Sequence, residues 1–212
     1  MTTMTFKKFL PLVVLTTVLL GFGAQTASAD TLLLNVGNAG AGGPGPYASL
    51  DYSLINANTA TFTFTALNNH LLTDGGAVAL NVSGPFSWDG TATTTINQPT
   101  VTSQGSGTED GFGTFNFRLT VGDSSPTSAI ETITFTLTNA SGWANTASIL
   151  TPNNDTPGRL AAAHVGLLDS SGAFSTTGFA TNGPASVPDG GTTASLLGLA
   201  LAVGGLVTRR RK

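Results

Sequence analysis

The sequence predicts an all-β ectodomain, folded as an antiparallel β-sandwich, between an N-terminal signal peptide and a C-terminal transmembrane helix. Three observations carry this. Several segments of the middle alternate aromatic or aliphatic residues with threonine, the mark of a strand with one buried face. Clusters of Gly, Asn, Asp and Pro separate these segments, and such clusters form turns. Each end of the chain joins an apolar run to lysine or arginine, whereas residues 30–187 contain no lysine.

Residues 1–29 have the three parts of a secretory signal peptide. Met1 to Lys8 is short and carries Lys7 and Lys8, and Phe9 to Phe22 is apolar and uncharged. Ala27-Ser28-Ala29 follows, with Ala27 and Ala29 sized for the small pockets of a signal peptidase. The mature chain is expected to begin at Asp30.

Residues 30–174 are expected to form the sandwich. The clearest alternation lies in Thr61 to Ala66, where Phe62 and Phe64 oppose the threonines, and in Thr132 to Thr138, where Ile133, Phe135 and Leu137 do the same. Phe115, Phe117, Leu119 and Val121 alternate with Thr114, Asn116, Arg118 and Thr120. These seven apolar residues (Phe62, Phe64, Phe115, Phe117, Ile133, Phe135 and Leu137) are expected to share one core. Weaker strands are expected at Ala48 to Ile55, Ala77 to Ser83, Thr93 to Ile96, Ala147 to Leu150, Leu160 to Leu168 and Ala173 to Phe179. No segment has a helical stripe. Antiparallel strands with one wet face pack naturally as two sheets, with a barrel as the rival closure. Val36 to Pro46 is Gly-rich and reads as a loop or arm. Residues 175–186 are small and polar, end in Gly183-Pro184-Ala185-Ser186, and read as a linker.

The exported part constrains function by charge. Residues 30–187 hold ten carboxylates against Arg118 and Arg159, a net charge near −8. That sign opposes nucleic-acid binding, which needs Lys and Arg on phosphates. There is no cysteine, so thiol catalysis and disulfides are excluded and stability must come from a core. The two histidines are His70, expected to be exposed in a turn, and His164, expected to be a strand residue with a satisfied ring nitrogen. Glu109-Asp110 is the one adjacent carboxylate pair; glycoside hydrolysis uses paired carboxylates, but a Gly-rich loop would hold this pair loosely. Calcium is the better-motivated ion, since Asp74, Asp89, Asp110, Asp123, Asp155 and Asp169 sit in turns and calcium takes oxygen ligands from such loops. No Asp-x-Asp-x-Asp-Gly loop is present. The expectation is no catalytic, cofactor-binding or metal-binding residue. Trp88 and Trp143 would serve either as sugar-stacking platforms or as core. Asn81, Asn139 and Asn154 begin Asn-x-Ser/Thr sequons.

Residues 187–212 close the chain in three parts: Val187-Pro188-Asp189-Gly190-Gly191, an uncharged run from Thr192 to Thr208, and the cations Arg209, Arg210, Arg211 and Lys212. The run of 17 residues would span about 25 Å as a helix at ~1.5 Å per residue, the short end for a bilayer core of ~30 Å. The terminal cations resist crossing and stay on the cytoplasmic side. An ordinary tail anchor would need only the run and the charges.

The order motif, apolar run, basic tail resembles the PEP-CTERM sorting signal of Gram-negative bacteria, in its variant with Val-Pro-Asp. The resemblance implies a membrane-anchored precursor, a signal peptidase at one end, and exosortase, a membrane-embedded transpeptidase, reading Val187 to Gly191 at the other. The mature protein would reach the cell surface or the extracellular matrix. Thr132 to Asn139, Trp143, the Asn153 to Gly158 turn and Ala161 to Val165 look like the terminal strands of small exported proteins of this kind. The function expected is a structural or adhesive component of biofilm or extracellular polysaccharide. The alternatives are a carbohydrate-binding module using Trp88 and Trp143, and, behind it, a hydrolase.

Overall fold

The computed structural model describes residues 29–155 and 157–183. The Thr192 to Thr208 run and nearly all of the signal peptide lie outside them. Thirteen strands follow in order: β1 Ala29–Gly37, β2 Ala48–Asn56, β3 Thr59–Ala66, β4 His70–Leu72, β5 Asp74–Leu80, β6 Ser87–Thr94, β7 Val101–Ser103, β8 Gly107–Glu109, β9 Gly113–Phe115, β10 Phe117–Val121, β11 Thr132–Thr138, β12 Ala161–Leu168 and β13 Phe174–Asn182. Among the described residues no helix is long and apolar enough to cross a membrane.

The domain is all-β and antiparallel, as expected. Its two layers belong to one continuous sheet in the order β6-β11-β3-β2-β1-β13-β12-β5-β10-β7, with β4 added beside β12. The sheet curls until its ends meet. Phe117 of β10 lies 5.5 Å from Phe135 of β11 and stands edge-on to Trp88 of β6 at 6.2 Å. Sandwich and barrel therefore converge on a nearly closed sheet around one core. β8 and β9 form a separate small hairpin.

Alternation in sequence becomes alternation in burial. In β3, Ala60, Phe62, Phe64 and Ala66 are buried while Thr59, Thr61, Thr63 and Thr65 are half-buried. In β11, Ile133, Phe135 and Leu137 point inward. Phe62 stacks on Phe135 at 5.4 Å and on Tyr52 at 6.3 Å. Six of the seven expected core residues share the main cluster. Phe115 is the exception: it packs with Ala79, Phe112 and Ala162 in a second cluster. The cause is Asn116. Its side chain accepts from the Val82 amide at 2.8 Å and donates to the Val82 carbonyl at 2.7 Å, and the ladder is interrupted there between β9 and β10.

Four further expectations are corrected. Ala147 to Leu150 is not a strand; Thr146–Ser148 is a 3-10 turn, because Asn145 and Ser148 form a capping box. The strand expected at Thr93 to Ile96 runs instead over Ser87–Thr94 and stops before Ile96, whose φ is 73°. Val36 to Pro46 is loop only from Asn38 onward: Val36 and Gly37 belong to β1, and Asn38 pins the loop to Phe179 through both backbone and side chain. The strand expected at Ala173 to Phe179 is present as β13, Phe174–Asn182, in the middle of the sheet between β1 and β12, and it takes residues 175–182 out of the expected linker. Its small residues have a packing reason. The Asn38–Ala41 turn crosses over Gly178, where an added Cβ would collide with the backbone of Gly40 and Ala41. β1 itself has no clear alternation in sequence, since Leu32, Leu33 and Leu34 run together; Leu32 and Leu34 are buried and Leu33 points outward.

Candidate functional site

The strands decide where the two ends of the domain emerge. Ala29 opens β1 and pairs with Ser53 of β2. β13 runs antiparallel beside β1 with Asn182 opposite Leu34, so the chain leaves β13 heading toward the end of the sheet where β1 begins. The exit is clamped. Asn182 Oδ1 accepts from the amides of Leu160 and Ala161 at 3.0 and 3.1 Å, and its carbonyl accepts from Arg159 at 2.7 Å. Ala27, Val187 to Gly191 and Arg209 to Lys212 lie outside the described residues.

The other candidate side chains do not assemble a reaction centre. His70 is buried rather than exposed. Asn68 and Asn69, both at positive φ, fold the chain back so that the ring slides beneath Ala41 and Gly42. Its Nε2 faces the Ala41 carbonyl at 3.0 Å and its Nδ1 the Leu67 carbonyl at 3.0 Å, with Tyr47 edge-on at 5.3 Å. His164 lies on β12 as expected, stacked on Phe179 at 4.4 Å. Burial lowers its pKa against the opposing pull of Asp74 and the Gly75 backbone, and its Nδ1 is buried without a hydrogen-bond partner.

Trp143 is core. It is 4% exposed, and its Nε1 donates to Ser83 at 3.0 Å, so it offers no platform to a sugar. Trp88 is half-buried and donates to Thr91 at 2.9 Å. The sequon asparagines Asn81 and Asn139 are also structural. Asn81 donates to Thr151 and Pro152, and Asn139 closes its own turn. Asp89 and Asp169 are used by their own turns, whereas Asp74 opens β5 and bonds a loop fifty residues away. Asp74 accepts from Ser124, Asp89 from Thr91 and Asp169 from Ser171, and these hydrogen bonds hold all three below the usual carboxylate range. Among the described residues no three His, Asp or Glu side chains gather as a metal site would require.

Glu109 is the residue that sequence reasoning placed least well. It is not held loosely: its side chain is fully buried at the end of β8, Arg118 Nε donates to Oε1, and Oε2 has no partner. A Cβ at Gly76, itself at φ 69°, would fall on the carboxylate oxygens. Asp110 stays outside, so the adjacent pair is not a working pair. Burial pushes the Glu109 carboxyl up to about 7 from an ordinary 4.5, against the opposing pull of Arg118. The folded state therefore holds this proton more tightly than the unfolded chain. Its stabilising contribution is complete below the unfolded value of 4.5 and is lost as pH rises through about 7. Denaturant melts should show stability falling over that window. Glu109→Gln should flatten the fall and raise stability at alkaline pH by roughly 1–3 kcal/mol; equal slopes in the two proteins would mean that the carboxylate is ionised throughout.

The outer face of the β6-β11-β3-β2-β1 stretch is a field of hydroxyls. Thr93, Thr134, Thr63, Asp51 and Thr31 follow one another across five strands, and Thr136, Thr61 and Ser53 form the next row. Thr63 and Thr134 hydrogen-bond at 3.0 Å. Neither arginine of the domain lies on these strands.

An all-β domain that ends five residues before a proline-bearing motif, with an apolar run and cations behind it, fits an exported protein with a C-terminal sorting signal. Residues 186–212 match the family model described as the VPDSG-CTERM motif, a PEP-CTERM-like variant that reads Val-Pro-Asp-Gly-Gly here. No curated protein and no solved structure matches the chain. The motif supports a sorting-domain-containing protein and implies export as a membrane-anchored precursor with processing by a sorting enzyme such as exosortase.

Proposed function

We propose that the released ectodomain acts without catalysis, as a structural or adhesive component of the cell surface or the extracellular polysaccharide matrix. The hydroxyl face supports this reading. Threonine hydroxyls exchange hydrogen bonds with polyol hydroxyls, each weakly, and repetition along a polymer converts weak contacts into retention. The negative ectodomain disperses in such a matrix rather than on nucleic acid. Replacing Thr61, Thr63, Thr134 and Thr136 together with alanine tests it. The variant should fold, and the fraction of exported protein retained with the matrix should drop several-fold; unchanged retention would overturn the reading.

A second reading keeps the carbohydrate-binding alternative but moves it away from the tryptophans. A cleft of about 380 Å³ is lined by Ser106, Thr114, Asn116, Asn154 and Asp155, among others. Neutral oligosaccharides that shift the Thr114 and Asn116 resonances, and leave the threonine face unmoved, would favour it.

A further inference from the structure

The distance between the closed sheet and the sorting motif is short enough to matter. β13 ends at Asn182, and Val187 follows five residues later. Fully extended, five residues reach roughly 17 Å. β1 needs the same five residues to run from Leu34, opposite Asn182, back to Ala29, again roughly 17 Å at strand rise. Val187 can thus come about level with the rim of the sheet and no farther.

The last strand cannot lend slack. Thr181 and Asn182 are buried, Thr181 Oγ1 donates to the Ala161 carbonyl at 2.6 Å, and Asn182 is held by Leu160, Ala161 and Arg159. β13 also fills the gap between β1 and β12, so releasing it would open the sheet. The rim in question is made by the start of β1, the end of β2 and the neighbouring Thr146–Ser148 turn. Ile55, one of three large apolar residues left exposed among the described residues, at 61%, lies at the end of β2 on this rim, whereas exposed Leu33 sits four residues up β1, opposite Ser49.

We propose that this rim is a docking surface for the membrane-embedded sorting enzyme, and that Gly183–Ser186 is close to the shortest tether that lets the enzyme engage Val187 to Gly191 beside a folded domain. The enzyme meets the folded domain at this rim, with Ile55 as the apolar contact. The same end holds Ala29, so both processing sites sit at one end of the ectodomain, the end that faces the membrane. This rests on the sorting reading of residues 186–212.

The test uses the full chain in a host that has exosortase. Deleting Pro184, Ala185 and Ser186 should slow maturation by roughly tenfold or more, since a tether that cannot span its sites reduces effective concentration toward zero. Adding about ten Gly and Ser residues to the deletion should restore it, since such a linker behaves as flexible coil. Protease resistance of the ectodomain should be equal in all forms, because the deletion lies beyond β13. A deletion variant that matures at the wild-type rate overturns the proposal, and so does a spacer that fails to rescue. Pro188→Ala with Asp189→Ala, at native spacing, separates the two claims: normal maturation there removes the sorting reading itself, whereas normal maturation of the deletion alone removes only the tether.

Discussion

Phe135→Ala should lower the stability of the ectodomain by ~3–5 kcal/mol, the range for removing a large aromatic from a packed core. Phe135 is buried on β11 and is the ring that joins the two ends of the curled sheet. It stacks on Phe62 at 5.4 Å and Phe64 at 6.5 Å within its own layer, and meets Phe117 at 5.5 Å across the closure. Truncation removes all three contacts and leaves a cavity between layers that cannot collapse independently. Thr134→Ala is the control. Its side chain points outward and shares one hydrogen bond with Thr63, so its loss should cost about 1 kcal/mol or less. Chemical denaturation of both variants checks the prediction, and equal costs would refute the assigned register.

Pro188→Ala combined with Asp189→Ala should leave membrane insertion intact and block maturation, so that uncut precursor accumulates. The two halves of the tail act through different physics. On the proposed sorting reading, Arg209, Arg210, Arg211 and Lys212 keep the end of the chain in the cytoplasm through the cost of burying cations. Replacing them with serine should weaken insertion. A proline restricts its own φ and biases the preceding residue toward extended backbone, so on the same reading Pro188 is the residue of the motif whose loss the processing enzyme should register. Asp189 follows it as the one carboxylate of the motif. A plain tail anchor would need the apolar run and ignore both residues. The size and location of the double variant in an exosortase-bearing host distinguish the two, and normal maturation would leave only a membrane-tethered β domain.

By itself the sequence determined the class of the fold, the strongest strands and the address. Period-two alternation is a local record of which side of a strand meets water, so β3 and β11 were legible residue by residue. The tail was legible because its motif, apolar run and cations act in linear order on a membrane. The tertiary structure decided everything that depends on what lies opposite. β13 reads in sequence both as a weak strand and as the start of a linker because its residues are small, and Gly178 is small because a distant turn crosses it. Phe115 kept the alternation of Phe117 but belongs to another cluster, since Asn116 spends its side chain on Val82. Trp143, His70 and Glu109 carry no local sign of burial; each is enclosed by segments far along the chain, Ser83, Ala41 and Gly76 among them. Hydrogen-bond register between distant strands also set the meeting of the domain's two ends on one side of the sheet. Local pattern encodes the environment of a residue, whereas its neighbours are fixed only when non-local pairing closes the sheet.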